Sequence, residues 1–195
     1  MKELVKCSQL SRKSEIRKSL IELRAKMTND SILCKSKSLS KTFLSHFSND
    51  DSIKSIALYS PVNSEVDTKI IHNELIRQGK MVLYPKTLND RLIFVKFESF
   101  DSFVRGVFNV LEPLSNEHVD INEIDLFVVP CVGIGIKGKR LGYGGGFYDR
   151  ALEFTPKARI CSIIYDFQLL SKYNGEMHDI EVSKIFTDLR FLRMN

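Results

Sequence analysis

Apolar residues recur at helical spacing over residues 11–27, where Ile16, Leu20, Leu23 and Met27 form one stripe. A second helix is predicted over residues 31–47, with Ile32, Leu39, Phe43 and Phe47 on its buried side. The pattern then alternates. Residues 55–59 read as a short strand, 67–77 as a helix with Gly79 at its C-terminal cap, and 81–84 as another strand. Such a strand–helix–strand unit forms a parallel pair with a right-handed crossover. Residues 92–97 predict a further strand, paired with a neighbour as a hairpin. Residues 126–129 are continuously apolar, as expected of a central strand covered on both faces. Residues 159–165 supply one more strand, and 185–187 a short edge strand. The expected fold is α/β: a three-layer single domain over residues 1–195, with a mostly parallel central sheet and helices on both faces. Open parallel sheets bind ligands outside the carboxyl ends of their strands, so the loops beginning near Tyr59, Tyr84, Pro130 and Tyr165 are the places to look.

Composition narrows the class. In 195 residues that are 43% hydrophobic there is material for a substantial core. No run approaches the roughly 18 apolar residues of a spanning helix, and the charged start of the chain does not read as a signal peptide. Cys7, Cys34, Cys131 and Cys161 are scattered, and the four histidines lack metal-binding spacing. A cytoplasmic protein with reduced thiols and no membrane partner is expected. Charge is uneven: residues 1–45 carry 11 Lys and Arg against 4 acids, net +7, whereas the remainder is net −2. The partner is therefore a nucleic acid or a smaller polyanion. Against nucleic acid, the basic residues are not interleaved with aromatics and no standard binding motif occurs. No obligate protein partner is predicted.

The segment from Gly138 to Arg150, Gly-Lys-Arg-Leu-Gly-Tyr-Gly-Gly-Gly-Phe-Tyr-Asp-Arg, carries the chemistry. Glycines let backbone amides approach a phosphate and adopt the positive φ that an anion nest needs. A following helix would add its N-terminal amides. Lys137, Lys139 and Arg140 bring positive charge, and Asp149 could hold a magnesium ion shared with a polyphosphate. The loop lacks the Gly-Lys-Ser/Thr ending of the common nucleotide-triphosphatase loop and the ribose-binding acid of a dinucleotide site. At about 100° per residue, Lys13, Arg17 and Arg24 fall within about 40° of one another, in a stripe beside the apolar face of the first helix.

The glycine loop resembles the Arg-Leu-Gly-x-Gly-x-Gly-Tyr-Tyr-Asp signature of the 5-formyltetrahydrofolate cyclo-ligase (5,10-methenyltetrahydrofolate synthetase) family. The likeness runs along nearly the whole chain, in order: Lys13 and Arg17; Tyr59-Ser60-Pro61 with Glu65 and Thr68; Pro85-Lys86; Glu112-Pro113; the loop; and His178-Asp179. It implies magnesium- and ATP-dependent closure of 5-formyltetrahydrofolate to 5,10-methenyltetrahydrofolate with release of ADP and phosphate. By resemblance, Lys13 and Arg140 are catalytic. Lys13, Arg17, Arg140, Leu141, Gly142, Tyr143, Gly144, Gly145, Gly146, Phe147 and Tyr148 are the ATP contacts. Arg17, Tyr59, Glu65, Tyr143 and Phe147 meet the folate, with Glu65 accepting hydrogen bonds from the pterin amino and ring N–H groups. Asp149 and Asp179 are the implied magnesium ligands. Polyglutamylated folate, itself a polyanion, would suit some of the remaining basic residues of the N-terminal segment.

The chain departs from the family pattern in places. Gly135 stands at the strand end where the family commonly has aspartate, and Phe147 replaces a tyrosine. Cys131 lies beside the expected site without an identifiable base and reads as a small buried residue. Arg24 has no family match and is expected to be solvated. The alternatives are a nucleic-acid-binding module built on the basic N-terminal helices and a sugar-phosphate enzyme that uses the glycine loop for a monophosphate.

Overall fold

The computed structural model describes residues 2–47, 50–135 and 137–194, with side chains from Arg12 onward except Val107. Helices α1 (Lys2–Ala25) and α2 (Asn29–Phe47) open the chain. Thr28 caps the second, its Oγ1 accepting the Ser31 N–H at 3.2 Å. There follow β1 (Ser55–Ala57), α3 (Lys69–Arg77), β2 (Met81–Leu88), β3 (Arg91–Lys96), β4 (Phe103–Arg105) and β5 (Leu111–Pro113). The second half holds β6 (Leu126–Val128), β7 (Gly133–Gly135), β8 (Arg140–Leu141), α4 (Phe147–Ala151), β9 (Ile160–Ile164), β10 (Leu169–Leu170), β11 (Lys184–Thr187) and β12 (Phe191–Arg193).

Seven strands form the main sheet in the order β12-β11-β9-β6-β1-β2-β3. The five central strands are mutually parallel, and the two edge strands are antiparallel to their neighbours. Alternation along each strand divides the core. Ile56, Leu58, Leu126 and Val128 face one cluster, with Leu39, Phe43, Phe47, Ile71 and Leu75 of α2 and α3. Ala57, Phe127, Val129, Ile160 and Ile164 face the other, covered by Leu152 and Tyr148 at α4 and by Ile134 of a small sheet, β10-β7-β8. Burial on both faces explains why 126–129 is an unbroken apolar run; in β9 the run is broken by Ser162, whose hydroxyl donates to the Val129 carbonyl at 2.8 Å.

The expected α/β architecture is present, with local differences. Residues 185–187 are not at the edge, because β12 adds antiparallel beyond them. β2 continues through Pro85 to Leu88. Proline fits there because β1 ends opposite Leu83, and Pro85 pairs only with Phe94 of β3. Among the described residues no helix is long and apolar enough to cross a membrane.

Candidate active site

The loops leaving the carboxyl ends of β1 and β6 open onto one face of the molecule. α1 lies across them. A cleft of about 570 Å³ runs beneath it, bounded by the 59–65 segment, the β2–β3 hairpin, the β4–β5 hairpin, the glycine loop and residues 176–179. The glycine loop does not follow the central strand directly: the β7–β8 hairpin intervenes, and the loop leaves β8.

At one end of the cleft the groups are cationic. Arg17 reaches from α1 and its Nε donates to the Gly142 carbonyl at 2.7 Å, which ties the helix to the loop. Gly144 has φ +107° and Gly146 φ +66°, left-handed values that strain any residue bearing a Cβ. These positive angles turn the loop within five residues from β8 into α4. That helix has five residues, so its dipole adds less than the sequence suggested. Arg140 is buried under the loop. Its Nη1 donates to the Pro130 carbonyl at 3.1 Å and its Nη2 to Asp149 Oδ2 at 2.7 Å. Its Nε has no partner among the described residues, and its guanidinium lies 5.5 Å from the Tyr148 ring centroid. Lys139, by contrast, turns away to the Asp179 carbonyl at 2.9 Å and Glu181 at 3.2 Å, and does not line the cleft.

Beside this end is an acidic cluster centred on Lys13. Its ammonium lies 2.9 Å from Asp179 Oδ2 and 3.0 Å from Glu176 Oε2. Asp179 also accepts from the Tyr173 hydroxyl at 2.9 Å and the Glu176 N–H at 2.7 Å. Burial opposes its ionisation, but Lys13, the Glu176 amide and Tyr173 outweigh that and hold its carboxyl below the ordinary aspartate value. Glu176, His178 and Asp179 bring ligand atoms to within 4.8 Å of one another. Asp149 is engaged otherwise, with Oδ2 on Arg140 and Oδ1 accepting the Ile180 N–H at 3.2 Å. Glu176 was not singled out from the sequence; an isolated acid in a turn carries no signal there.

The other end is apolar with two buried acids, Glu65 and Glu112, the latter accepting the Thr87 hydroxyl on Oε1 at 3.1 Å. Pro85, Leu92, Phe108 and Val110 form walls there. Tyr59 lines the cleft with its ring while its hydroxyl is held by the Val66 carbonyl at 3.0 Å. Glu65 closes a turn in which Asn63 and Ser64 both have positive φ, with the Glu65 N–H donating to the Val62 carbonyl at 3.0 Å. Its carboxylate accepts the Val62 N–H on Oε2 at 3.0 Å and the Tyr143 hydroxyl on Oε1 at 2.9 Å. Burial raises its pKa, opposed by the nearby Arg24 charge and these hydrogen bonds.

Arg24 is the main correction to the sequence reading. Far from solvated, it is 1% exposed. Its Nε donates to the Asn63 carbonyl at 2.8 Å, its Nη2 to the Tyr143 hydroxyl, and its Nη1 lies 3.6 Å from Glu65 Oε1. The spacing of Lys13, Arg17 and Arg24 on one helical stripe was the available signal, for all three turn toward the cleft side.

Cys131 is buried, as expected. Burial, only partly offset by the Ser162 hydroxyl 3.5 Å away, pushes its thiol up to about 12, so it is not a thiolate at neutral pH. Cys131→Ala, a small-for-small change at a buried position that supplies no reacting group, should retain turnover within about twofold, and a steady-state assay checks this. A tenfold loss would reinstate the thiol.

The comparisons agree with this layout. The 5-formyltetrahydrofolate cyclo-ligase of Mycolicibacterium smegmatis is 30% identical over 148 residues, 70% of this chain and 75% of that protein. The Mycoplasma pneumoniae enzyme of the same name is 27% identical over 179 residues, 90% of this chain and 98% of that one. The NMR structure of Aquifex aeolicus 5,10-methenyltetrahydrofolate synthetase superposes with a TM-score of 0.82 at 27% identity, covering 94% of this chain and 93% of that one. Residues 9–188, which include most of α1 and every wall of the cleft, match the family model described as the 5-formyltetrahydrofolate cyclo-ligase family. With the ordered motifs converging on one cleft, the chain belongs to the 5-formyltetrahydrofolate cyclo-ligase family.

Proposed function

We propose that this chain converts 5-formyltetrahydrofolate to 5,10-methenyltetrahydrofolate, with ATP cleaved to ADP and phosphate. The observation that carries this reading is the polarity of one continuous cleft: a cation-lined glycine loop at one end, and apolar walls with a buried carboxylate at the other. A triphosphate suits the first. A flat heteroaromatic ring with adjacent N–H donors suits the second, because each oxygen of Glu65 makes one protein hydrogen bond and keeps a further lone pair.

In this reading the formyl oxygen attacks the γ-phosphorus and ADP leaves with the bridging oxygen. The neighbouring folate nitrogen then attacks the activated formyl carbon, and phosphate departs with the former formyl oxygen. Phosphoryl transfer asks the protein mainly for positioning and charge neutralisation. Lys13 would meet the transferred phosphoryl group, Arg17 and the Gly142–Phe147 backbone the remaining phosphates, and Arg140 would brace the loop from below and offer its unpartnered Nε. Phe147 and Tyr143 would bound the folate, and Tyr148 the nucleotide side of the loop; Leu141, expected to touch ATP, is 1% exposed and does not line the cleft, so it anchors the loop instead.

Oxygen donors suit magnesium. Asp179, with Glu176 beside it, already converges on a cation, the Lys13 ammonium, so the pair fits such an ion. Asp149, held by Arg140, would serve as the second ligand we assign. Magnesium, when bound, would neutralise phosphate charge.

Purified protein given magnesium, ATP and 5-formyltetrahydrofolate should generate methenyltetrahydrofolate absorbance and ADP in equal amounts. Folded protein that produces neither across a range of pH would refute the assignment.

A further inference from the structure

Arg24 stands where three separate segments meet: α1, the 62–65 turn and the glycine loop. Its contacts differ from those of a surface helix arginine. The guanidinium holds the Asn63 carbonyl, at a residue whose φ is +49°, and thereby braces the turn that presents Glu65. It also donates to the Tyr143 hydroxyl. A hydroxyl that accepts from arginine directs its own proton elsewhere, and here the acceptor is Glu65 Oε1 at 2.9 Å. Burial and the Glu65 charge push the Tyr143 pKa well above its usual value, so this hydroxyl stays a donor throughout the working range.

Tyr143 is also the only side chain in the run Gly142-Tyr143-Gly144-Gly145-Gly146. Its ring is 41% exposed while its hydroxyl is fixed between Arg24 and Glu65. The hydroxyl is thus the side-chain tether of the loop, and its far end is the carboxylate of the opposite site. The other titratable groups near Glu65, namely Tyr59, Cys131, Tyr148 and Tyr165, are neutral and make no such bridge.

Resting on the reading of the loop as the triphosphate site and Glu65 as the pterin site, we propose that Arg24 is a positioning residue which, through the Tyr143 hydroxyl, couples nucleotide binding to folate binding. A ligand that holds the loop in its docked arrangement fixes Tyr143 and, with it, the Glu65 oxygen that receives the pterin. The second ligand then meets a group already ordered, which gives positive cooperativity, and the coupling is reciprocal by linkage.

Calorimetry on the full chain tests this, with 5-formyltetrahydrofolate and β,γ-methylene-ATP titrated singly and each in the presence of the other. In the wild type each ligand should tighten the other by the same factor, at least about fivefold. Tyr143→Phe removes one oxygen from a half-exposed side chain and should leave both ligands binding with a coupling factor near one. Arg24→Lys, which cannot form the same fork, should reduce the factor without abolishing either binding. Arg24→Met should do the same as Tyr143→Phe with weaker folate binding; should it not fold, the tyrosine variant decides. A wild-type factor of one, or an unchanged factor in Tyr143→Phe, overturns the coupling and leaves the functional reading standing. Wild-type protein that binds neither ligand overturns both.

Discussion

Replacing Lys13 by methionine is expected to lower kcat by about 10²–10³-fold, the scale of losing one positioned charge-stabilising donor at a reacting centre. Methionine keeps much of the apolar stem and removes the ammonium. The loss of charge has a second effect, on folding. Without Lys13, Asp179 and Glu176 face one another in a largely buried position, each deprived of its partner at 2.9 and 3.0 Å. Breaking one side of a buried pair is destabilising by about 3–5 kcal/mol. Activity and stability would thus fall together, and the single variant cannot separate them. Lys13→Met combined with Asp179→Asn, compared with Asp179→Asn alone, can, because it removes one of the two stranded carboxylates and the other, Glu176, keeps His178 3.1 Å away. The double variant should recover part of the melting temperature and turn over about 10²–10³-fold more slowly than Asp179→Asn. The same pair sets an acid limit. The folded-state pKa of Asp179 lies below 3.8, so its contribution to stability is present above that value and is lost as pH falls through the lower folded one. Asp179→Asn should flatten that acid limb of the stability curve. A double variant that turns over as fast as Asp179→Asn would show Lys13 to be structural only.

What could be read from the sequence, and what could not, follows the physics of each element. The parallel centre was legible because β6 and β9 are buried on both faces and therefore almost wholly apolar, Ser162 being the one polar residue. The small sheet β7-β8-β10 was not, since strands of two or three residues are too short to display a period. β12 was missed for a related reason: at the sheet edge Phe191, Leu192 and Arg193 are half exposed and read as a polar tail, so β11 was taken for the edge. In the site, the glycine loop announced itself because Gly144 and Gly146 are required by backbone geometry, which composition records directly. Arg24 did not, because charges on a helix are ordinarily solvated, and its burial depends on Asn63, Glu65 and Tyr143, which lie far away in the chain. Helical phase alone placed it with Lys13 and Arg17, but phase does not say what lies opposite. Asp149 was legible as an acid after the loop, but its engagement with Arg140 and the Ile180 amide was not.

Glu65→Gln should part binding from stability. An ionised carboxylate is an acceptor at both oxygens, whereas an amide presents one acceptor and one donor. Toward paired pterin N–H groups the glutamine would lose one charged acceptor and oppose a donor with a donor. Hydrogen bonds to charged groups contribute about 1.5–3 kcal/mol each, so the KM for 5-formyltetrahydrofolate should rise about 10- to 100-fold. If the pterin is held equally in the ground and transition states, kcat should change little. Stability should behave differently. The folded-state pKa of Glu65 is raised above 4.5, chiefly by burial, against the pull of Arg24, the Val62 amide and Tyr143. The folded chain therefore binds this proton more readily than the unfolded chain. The stabilisation from the neutral acid is complete below 4.5 and is lost as pH rises through the raised value, so once ionised the carboxylate is a net cost to the fold. Glutamine, neutral at every pH, removes that cost but turns an NH2 donor toward the Val62 N–H or the Tyr143 hydroxyl, so the melting temperature at pH 7 should change little while folate binding collapses. Glu65 is then a group kept for its ligand at some expense in stability. A melting temperature that falls in step with the loss of folate affinity, or a KM that does not move, would remove Glu65 from the binding site and make it a brace for the 62–65 turn.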